Sequence, residues 1–265
     1  MNIAGIIDTI PFSSGCGVVK ADESGALAIF KRAGRSTHPN HKSGSSVPMI
    51  NASYSFEGEY YSWPNPNGGK NVHLYLANRL DSPTSGIVIA SFDEEIAGYI
   101  RDLFKKKLVM KTYYAVCVGR VFQKFGEWRD RLELKRGASF VRSEVSAGTG
   151  RIAVSSFFIE RSDANGANLN LVRLEPKTGF THQLRVQCAR HRMPILGDAT
   201  YGNFALNRAY SKIFGIGRMF LHCSKTSFSL ECGRQFEAES PLPDSFSLAL
   251  DYNVEIARKF NKTTH

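Results

Sequence analysis

Asn78-Arg79-Leu80-Asp81-Ser82-Pro83-Thr84-Ser85-Gly86 runs directly into the apolar stretch Ile87-Val88-Ile89-Ala90. A carboxylate two residues after an arginine sits on a turn punctuated by Pro83 and Gly86, at the mouth of a strand. Such an arrangement displays an acid in a cleft rather than on an arbitrary surface. An aspartate beside Ser-Pro-Thr can also serve simply to cap a turn, which is its ordinary use there. The neighbouring sequence has to decide between the two.

Upstream, residues 18–22 and 27–30 read as strands that lead into Lys31-Arg32-Ala33-Gly34 and His38-Pro39. Residues 35–72 are rich in Ser, Gly, Pro and Asn, as in Ser43-Gly44-Ser45-Ser46, and read as a long loop insertion. Downstream, the strand at 86–91 feeds a helix for which Ser91 and Glu94 form a candidate capping box. Ile96, Ile100, Leu103 and Phe104 fall on one face of that helix, and its end is basic at Lys105-Lys106-Lys107. From 109 to 118 the period returns to two. Tyr114, Val116 and Val118 then share one face, with Tyr113, Ala115 and Cys117 on the other. Residues 125–150, polar and basic, are expected to form a hairpin or loop pair reaching toward substrate. Residues 169–174 read as a further strand, and Thr181 as the cap of the helix carrying Arg185. Residues 220–230 and 235–239 read as a late hairpin. Strands outnumber helices without alternating with them. The expected fold class is therefore α+β, with a mixed, largely antiparallel central sheet, flanking helices and a cleft.

At 265 residues with 42% hydrophobic and 22% charged residues, the chain can bury a sizeable core, and 1–265 is read as one domain. A net charge of +10 and a pI near 9.4 favour a polyanionic partner, of which nucleic acid is the commonest. No apolar run approaches the ~20 residues of a membrane span, and the N-terminus has no basic flank of the kind a secretory signal carries. Five cysteines, at 16, 117, 188, 223 and 232, show no Cys-x-x-Cys spacing. They read as reduced thiols of a cytoplasmic protein. Cys188 with His191, and His222 with Cys223, could in principle ligate a metal. The second close ligand pair typical of zinc sites is lacking, and no metal is expected.

The 78–86 stretch resembles the catalytic loop of the RluA-type RNA pseudouridine synthases, His-Arg-Leu-Asp-x-x-Thr-Ser-Gly, with Asn78 in place of His. Three further stretches follow the family order. Residues 18–22 and 27–34, ending near His38-Pro39, resemble its opening motif, an apolar strand running into Lys-Pro-Ala-Gly, with Arg32 for Pro. Lys111-Thr112-Tyr113-Tyr114-Ala115 resembles its Lys-x-Tyr-x-Ala stretch. Thr178-Gly179-Phe180-Thr181-His182-Gln183-Leu184-Arg185, with Pro194-Ile195-Leu196-Gly197-Asp198 beyond it, resembles Thr-Gly-Arg-Thr-His-Gln-x-Arg and its sequel, with Phe180 for Arg. The likeness covers roughly residues 18–246.

The resemblance implies a pseudouridine synthase fold in a single catalytic domain without the auxiliary S4 domain. It also implies isomerisation of uridine in a structured ribosomal or transfer RNA. Asp81 is then the nucleophile or base, Tyr113 the residue that stacks on the base and assists proton removal, and Arg185 the cation paired with Asp81 that keeps it ionised. Arg79 would fill the stack vacated by an extruded base. Thr84, Lys111, His182 and Gln183 are expected at the RNA-binding cleft, the last two, with Lys31 and Gly34, largely as its scaffold. Breaking the N1–ribose bond and rejoining through C5 involves no redox change, so no cofactor is expected. A monomer is expected, with RNA as the partner and no membrane association. The alternative left open by Arg32, Asn78 and Phe180 is a catalytically silent RNA-binding protein of the same fold. Hydrolysis by Asp81 would need a second carboxylate, which the motifs do not offer.

Overall fold

Runs rich in Val, Ile, Leu and Tyr become strands because branched and aromatic side chains fit a pleated, half-buried surface. The computed structural model describes residues 3–39, 47–136, 141–146, 148–163, 168–215 and 217–251. Along the chain lie α1 (Ile3–Ile7), β1 (Gly17–Ala21), β2 (Ala26–Lys31), β3 (Ser53–Ser55), β4 (Tyr60–Trp63), β5 (Val72–Leu76), β6 (Ser85–Ser91) and α2 (Glu94–Lys105). They are followed by β7 (Met110–Val118), β8 (Phe125–Arg136), β9 (Val141–Val145), β10 (Arg151–Ser162), β11 (Leu169–Pro176) and α3 (Gln183–Arg190). The last are α4 (Phe204–Phe214), β12 (Leu221–Ser229), β13 (Gln235–Glu239) and α5 (Asp244–Asp251). The chain forms two compact units, Met1–Lys111 with Cys223–Ser240, and Thr112–His222 with Pro241–His265.

In the first unit β6 is central. β2 and β5 pair with it antiparallel, β1 extends the sheet beyond β2, and β4 and β3 extend it beyond β5. β12 neighbours β6 and carries β13 antiparallel. Ile87, Val88, Ile89 and Ala90 are all fully buried, so β6 is covered on both faces. Part of that cover is α2, which lies against β5 and β6 with Ala97, Ile100 and Leu103 turned inward. Burying each such Ile or Leu is worth about 1.5–3 kcal/mol.

Two expectations are corrected in this unit. The N-cap of α2 is Asp93, whose carboxylate accepts from the Glu95 and Ile96 amides at 2.8 and 3.1 Å, not Ser91. The strand keeps Ser91, whose hydroxyl donates to the Gly25 carbonyl and accepts from the Asp93 amide. The segment 35–72 is not loop throughout, because it holds the antiparallel β3–β4 hairpin. Tyr61 and Trp63 are buried there, which makes the hairpin part of a core. The quoted run Ser43-Gly44-Ser45-Ser46 lies outside the described residues.

The second unit is an antiparallel sheet in the order β7-β11-β10-β8-β9. The β8–β9 hairpin occupies the region 125–150, whose residues 137–140 and 147 lie outside the described set. The two faces of β7 separate as their alternation requires. Ala115 and Cys117 enter one cluster with Trp128, Phe157 and Leu184, against which Tyr113 packs. Val116 enters another with Phe220 and Phe246, against which Tyr114 and Val118 pack. His191 stacks on Trp128, with ring centroids 4.7 Å apart and planes at 4°, and its Nε2 lies 3.1 Å from Asp130. Among the described residues, no helix is long and apolar enough to cross a membrane.

Candidate active site

The loop carrying Asp81 is held by its backbone. Asp81 is half-buried, and its carbonyl accepts from the Thr84 amide at 3.0 Å, closing the Ser-Pro turn. Lys31, at the end of β2, is fully buried. Its ammonium donates to the carbonyls of Ser82 (3.1 Å) and Thr84 (2.5 Å) on this loop, and of Arg35 (2.7 Å) and Arg32 (3.3 Å) on its own. A buried ammonium is tolerable because carbonyl dipoles replace its hydration shell. The Thr37 hydroxyl donates to the Leu80 carbonyl at 2.8 Å and accepts from the Leu80 amide at 3.1 Å. The Gly34 amide adds a bond to the Ser82 carbonyl at 2.8 Å. Residues on both sides of Asp81 are thereby tied to the 31–37 segment, 43 to 53 residues earlier in the chain.

Gly86 ends the loop in a left-handed conformation, φ +120°, and a Cβ there would overlap the Cys223 backbone of β12. Only glycine lets the two strands approach so closely. The departures at 78 and 32 have local uses. The Asn78 side-chain oxygen accepts from the Ile89 amide at 2.7 Å and so continues the ladder of β5 past its end. Arg32 donates its amide to the Cys16 sulfur at 3.5 Å, a bond that proline could not make.

Arg79 is exposed, with Nη1 3.3 Å from Nε2 of His38. Thr84, by contrast, is 2% exposed, and its carbonyl and amide serve the loop. Lys111, the second residue of β7, holds its ammonium 5.9 Å from the Phe104 ring. Burial pulls its pKa below the ordinary lysine value, against an opposing effect of Cys223.

In the second unit the predicted residues gather at the start of α3. The helix begins without the expected Thr181 cap. His182 is the N-cap residue, held left-handed at φ 55° with no capping bond from its side chain. The Gln183 side chain substitutes, as its oxygen accepts from the Phe180 amide (3.1 Å) and the Thr178 hydroxyl (2.8 Å). Its amide nitrogen donates to the Val154 carbonyl and the Ser155 hydroxyl. Gln183 is 4% exposed and its bonding groups are engaged within the fold, a scaffold role. His182 Nδ1 lies 3.0 Å from the Tyr201 hydroxyl, which also bonds the Ser143 backbone of β9. Phe180 occupies an apolar seat against Leu132, Ala153 and Val186, with the Arg151 guanidinium 5.0 Å from its ring centre.

Arg185 is buried and forks onto Asp198, Nε to Oδ2 at 2.7 Å and Nη2 to Oδ1 at 2.9 Å. Burial alone would raise the Asp198 carboxyl. The Arg185 fork and the Thr200 and Tyr201 amides outweigh it and hold the group below its ordinary value. The sequence alone assigns Asp198 no role. Its signal was a lone charge closing the apolar run Pro194-Ile195-Leu196-Gly197. Thr37 was missed altogether, having no cue beyond its place before His38-Pro39.

The structure therefore groups Arg79, Asp81 and Thr84 on one loop with Lys111 in the same unit, and Tyr113, His182, Gln183 and Arg185 in the other. Comparison with known proteins bears on what these groups do. Residues 26–190 match the family described as RNA pseudouridylate synthase. The chain is similar to the ribosomal large subunit pseudouridine synthase C of Rickettsia conorii, 31% identical over 88% of this chain and 70% of that protein. It is similar also to the tRNA pseudouridine synthase C of Yersinia pestis, 32% identical over 57% of this chain and 62% of that one. Among solved structures, human RNA pseudouridylate synthase domain containing 1 shares the fold with a TM-score of 0.64, 18% identity and coverage of 94% and 96% of the two chains. Human RNA pseudouridylate synthase domain containing 4 does so at a TM-score of 0.61, 20% identity and coverage of 88% and 91%.

Proposed function

The chain belongs to the RNA pseudouridylate synthase family, and from that premise we propose that it isomerises uridine in a structured ribosomal or transfer RNA with Asp81 as its catalytic carboxylate. The observation that carries the role of Asp81 is its loop. A half-buried carboxylate stands on a turn whose flanking carbonyls are held by a fully buried ammonium. Placing a reactive group on so constrained a backbone is how a site fixes its geometry before substrate arrives. The relatives named for ribosomal and transfer RNA support those two substrate classes.

The reaction conserves every atom. The bond from uracil N1 to the ribose C1′ breaks, the ring turns, and C5 bonds to the same carbon. The proton lost from C5 is balanced by one gained at N1. A carboxylate can open this sequence by attack on the sugar or the ring, or by removing a ribose proton. Tyr113 is proposed to stack on the base and assist departure of the C5 proton, and Arg185 to act as a catalytic cation. Arg79 is proposed to fill the stack from which the uridine is extruded. We place the enzyme in the cytoplasm as a monomer. Its five cysteines, none of them in a disulfide, suit that compartment.

Asp81→Asn keeps the shape of the side chain and removes its nucleophilicity and basicity. Pseudouridine mapping of total RNA from cells lacking the protein should show a missing site, restored by wild type and not by Asp81→Asn. RNA affinity of the purified variant should stay within several-fold of wild type. Full isomerisation by Asp81→Asn would exclude the mechanism.

A further inference from the structure

We propose that Tyr54 and Phe56 of the β3–β4 hairpin, with His38, form a stacking platform for an unpaired base of the RNA next to the extruded uridine, bordered by the Arg79 guanidinium. This rests on the RNA-modifying reading above and extends it to Tyr54 and Phe56, which lie outside the motifs that carry the family resemblance.

The rings are ordered rather than merely adjacent. His38 stacks on Tyr54, centroids 5.5 Å apart and planes at 17°. Phe56 stands nearly perpendicular to both, 6.0 Å from His38 and 5.0 Å from Tyr54. Behind them Tyr54 meets the edge of Tyr61 at 4.9 Å. Tyr61 is fully buried, and its hydroxyl donates at 2.9 Å to the carbonyl of Thr37. Thr37 is the residue whose side chain clamps Leu80, next to Asp81. The aromatic bed and the catalytic loop thus share one anchor, which sets the position of one relative to the other. In front, Phe56 is 39% exposed, and the exposed Arg79 guanidinium meets the His38 ring at 3.3 Å.

The chemistry favours a nucleobase. An exposed ring buttressed by aromatics offers a flat apolar face, while an adjacent guanidinium stacks or bonds phosphate. A purely apolar partner would leave Arg79 without use, and the excess of positive charge on the chain favours a polyanion. Of the two acidic groups on the hairpin, Glu59 is paired with Arg101 at 3.4 Å, while Glu57, next to Phe56, is exposed. Extruding a uridine unstacks its neighbours and leaves the base it had paired with unpaired. A platform joined through Arg79 to the catalytic aspartate two residues later is placed to receive one.

The probe is a single-stranded ten-residue oligouridine, measured by fluorescence anisotropy with wild type, Phe56→Ala and Phe56→Trp. Loss of one stacked base should weaken binding by about five- to a hundredfold for Phe56→Ala, with Phe56→Trp near wild type. The same oligomer carrying 5-iodouridine should photo-crosslink to the tryptic peptide that contains Tyr54 and Phe56. Equal affinity of wild type and Phe56→Ala, crosslinks confined to other peptides, or no binding by wild type would each overturn the platform. Pseudouridine mapped in parallel separates the two readings. A normal product pattern with unaltered Phe56→Ala binding removes only the platform, whereas absence of the product removes the reading on which it rests.

Discussion

A carboxylate that is 1% exposed stays ionised only when the fold supplies a cation and N–H groups, and Asp198 has both. Because its folded pKa lies below the unfolded one, near 4, its contribution to stability is complete above that value. The contribution is lost as pH falls through the folded pKa. Asp198→Ala, which takes the carboxylate from a buried guanidinium, should cost about 3–5 kcal/mol at pH 7 in urea unfolding. Asp198→Asn should cost less and flatten the decline of stability below about pH 4. An unchanged acid limb in Asp198→Asn would assign that limb to other carboxylates. This pair was hidden from the sequence for a physical reason. Arg185 and Asp198 are joined only because α3 ends and the 194–198 segment returns along β7, where the Leu196 amide bonds the Val116 carbonyl. Asp81 was legible because the residues around it spell a turn and a strand without help from the rest of the chain.

Elements whose period matched their burial were read correctly, and those that broke local rules were not. The two faces of β7 follow from alternation alone, and so does the position of Tyr113 opposite Tyr114. The β3–β4 hairpin escaped because Ser, Gly and Glu interrupt its aromatics, so the segment looked like loop by composition. The left-handed start of α3 at His182 has no sequence cue, since a histidine, though more tolerant of that region than most residues, occupies it only occasionally, and the Gln183 side chain makes it tenable here. For α2 the choice between two cap residues separated by one position was settled by the strand, which retains Ser91. Asp93→Ala removes two bonds to helix amides and a negative charge at the positive end of the helix. It should lower unfolding stability by about 1 kcal/mol, whereas Glu94→Gln should change it by less than ~0.5 kcal/mol. Equal effects of the two would return the cap to the Ser91–Glu94 pairing.

Across the whole molecule the governing property is charge. The surplus of +10 was plain from composition and names the class of partner, but which phosphates it meets depends on tertiary placement. If about six phosphates are neutralised, affinity for a structured RNA should fall roughly 10³-fold between ~50 and ~200 mM salt through release of counterions. Filter binding over a salt series would show the slope, and a flat response would contradict a basic RNA-facing surface. The order of assembly is a further property of the whole chain. The first unit takes its last strands from residues 223–240, and β12 must come so close to Gly86 that no side chain fits between them. On the ribosome, β6 is made long before its partner, because Thr112–His222 must be translated in between. At ~5–20 residues per second that interval is on the order of ten seconds. Throughout it, the stretch of β6 at Gly86 that β12 will cover waits for its neighbour while β2 and β5 already flank the strand, so the nascent chain carries a short open edge of backbone donors and acceptors.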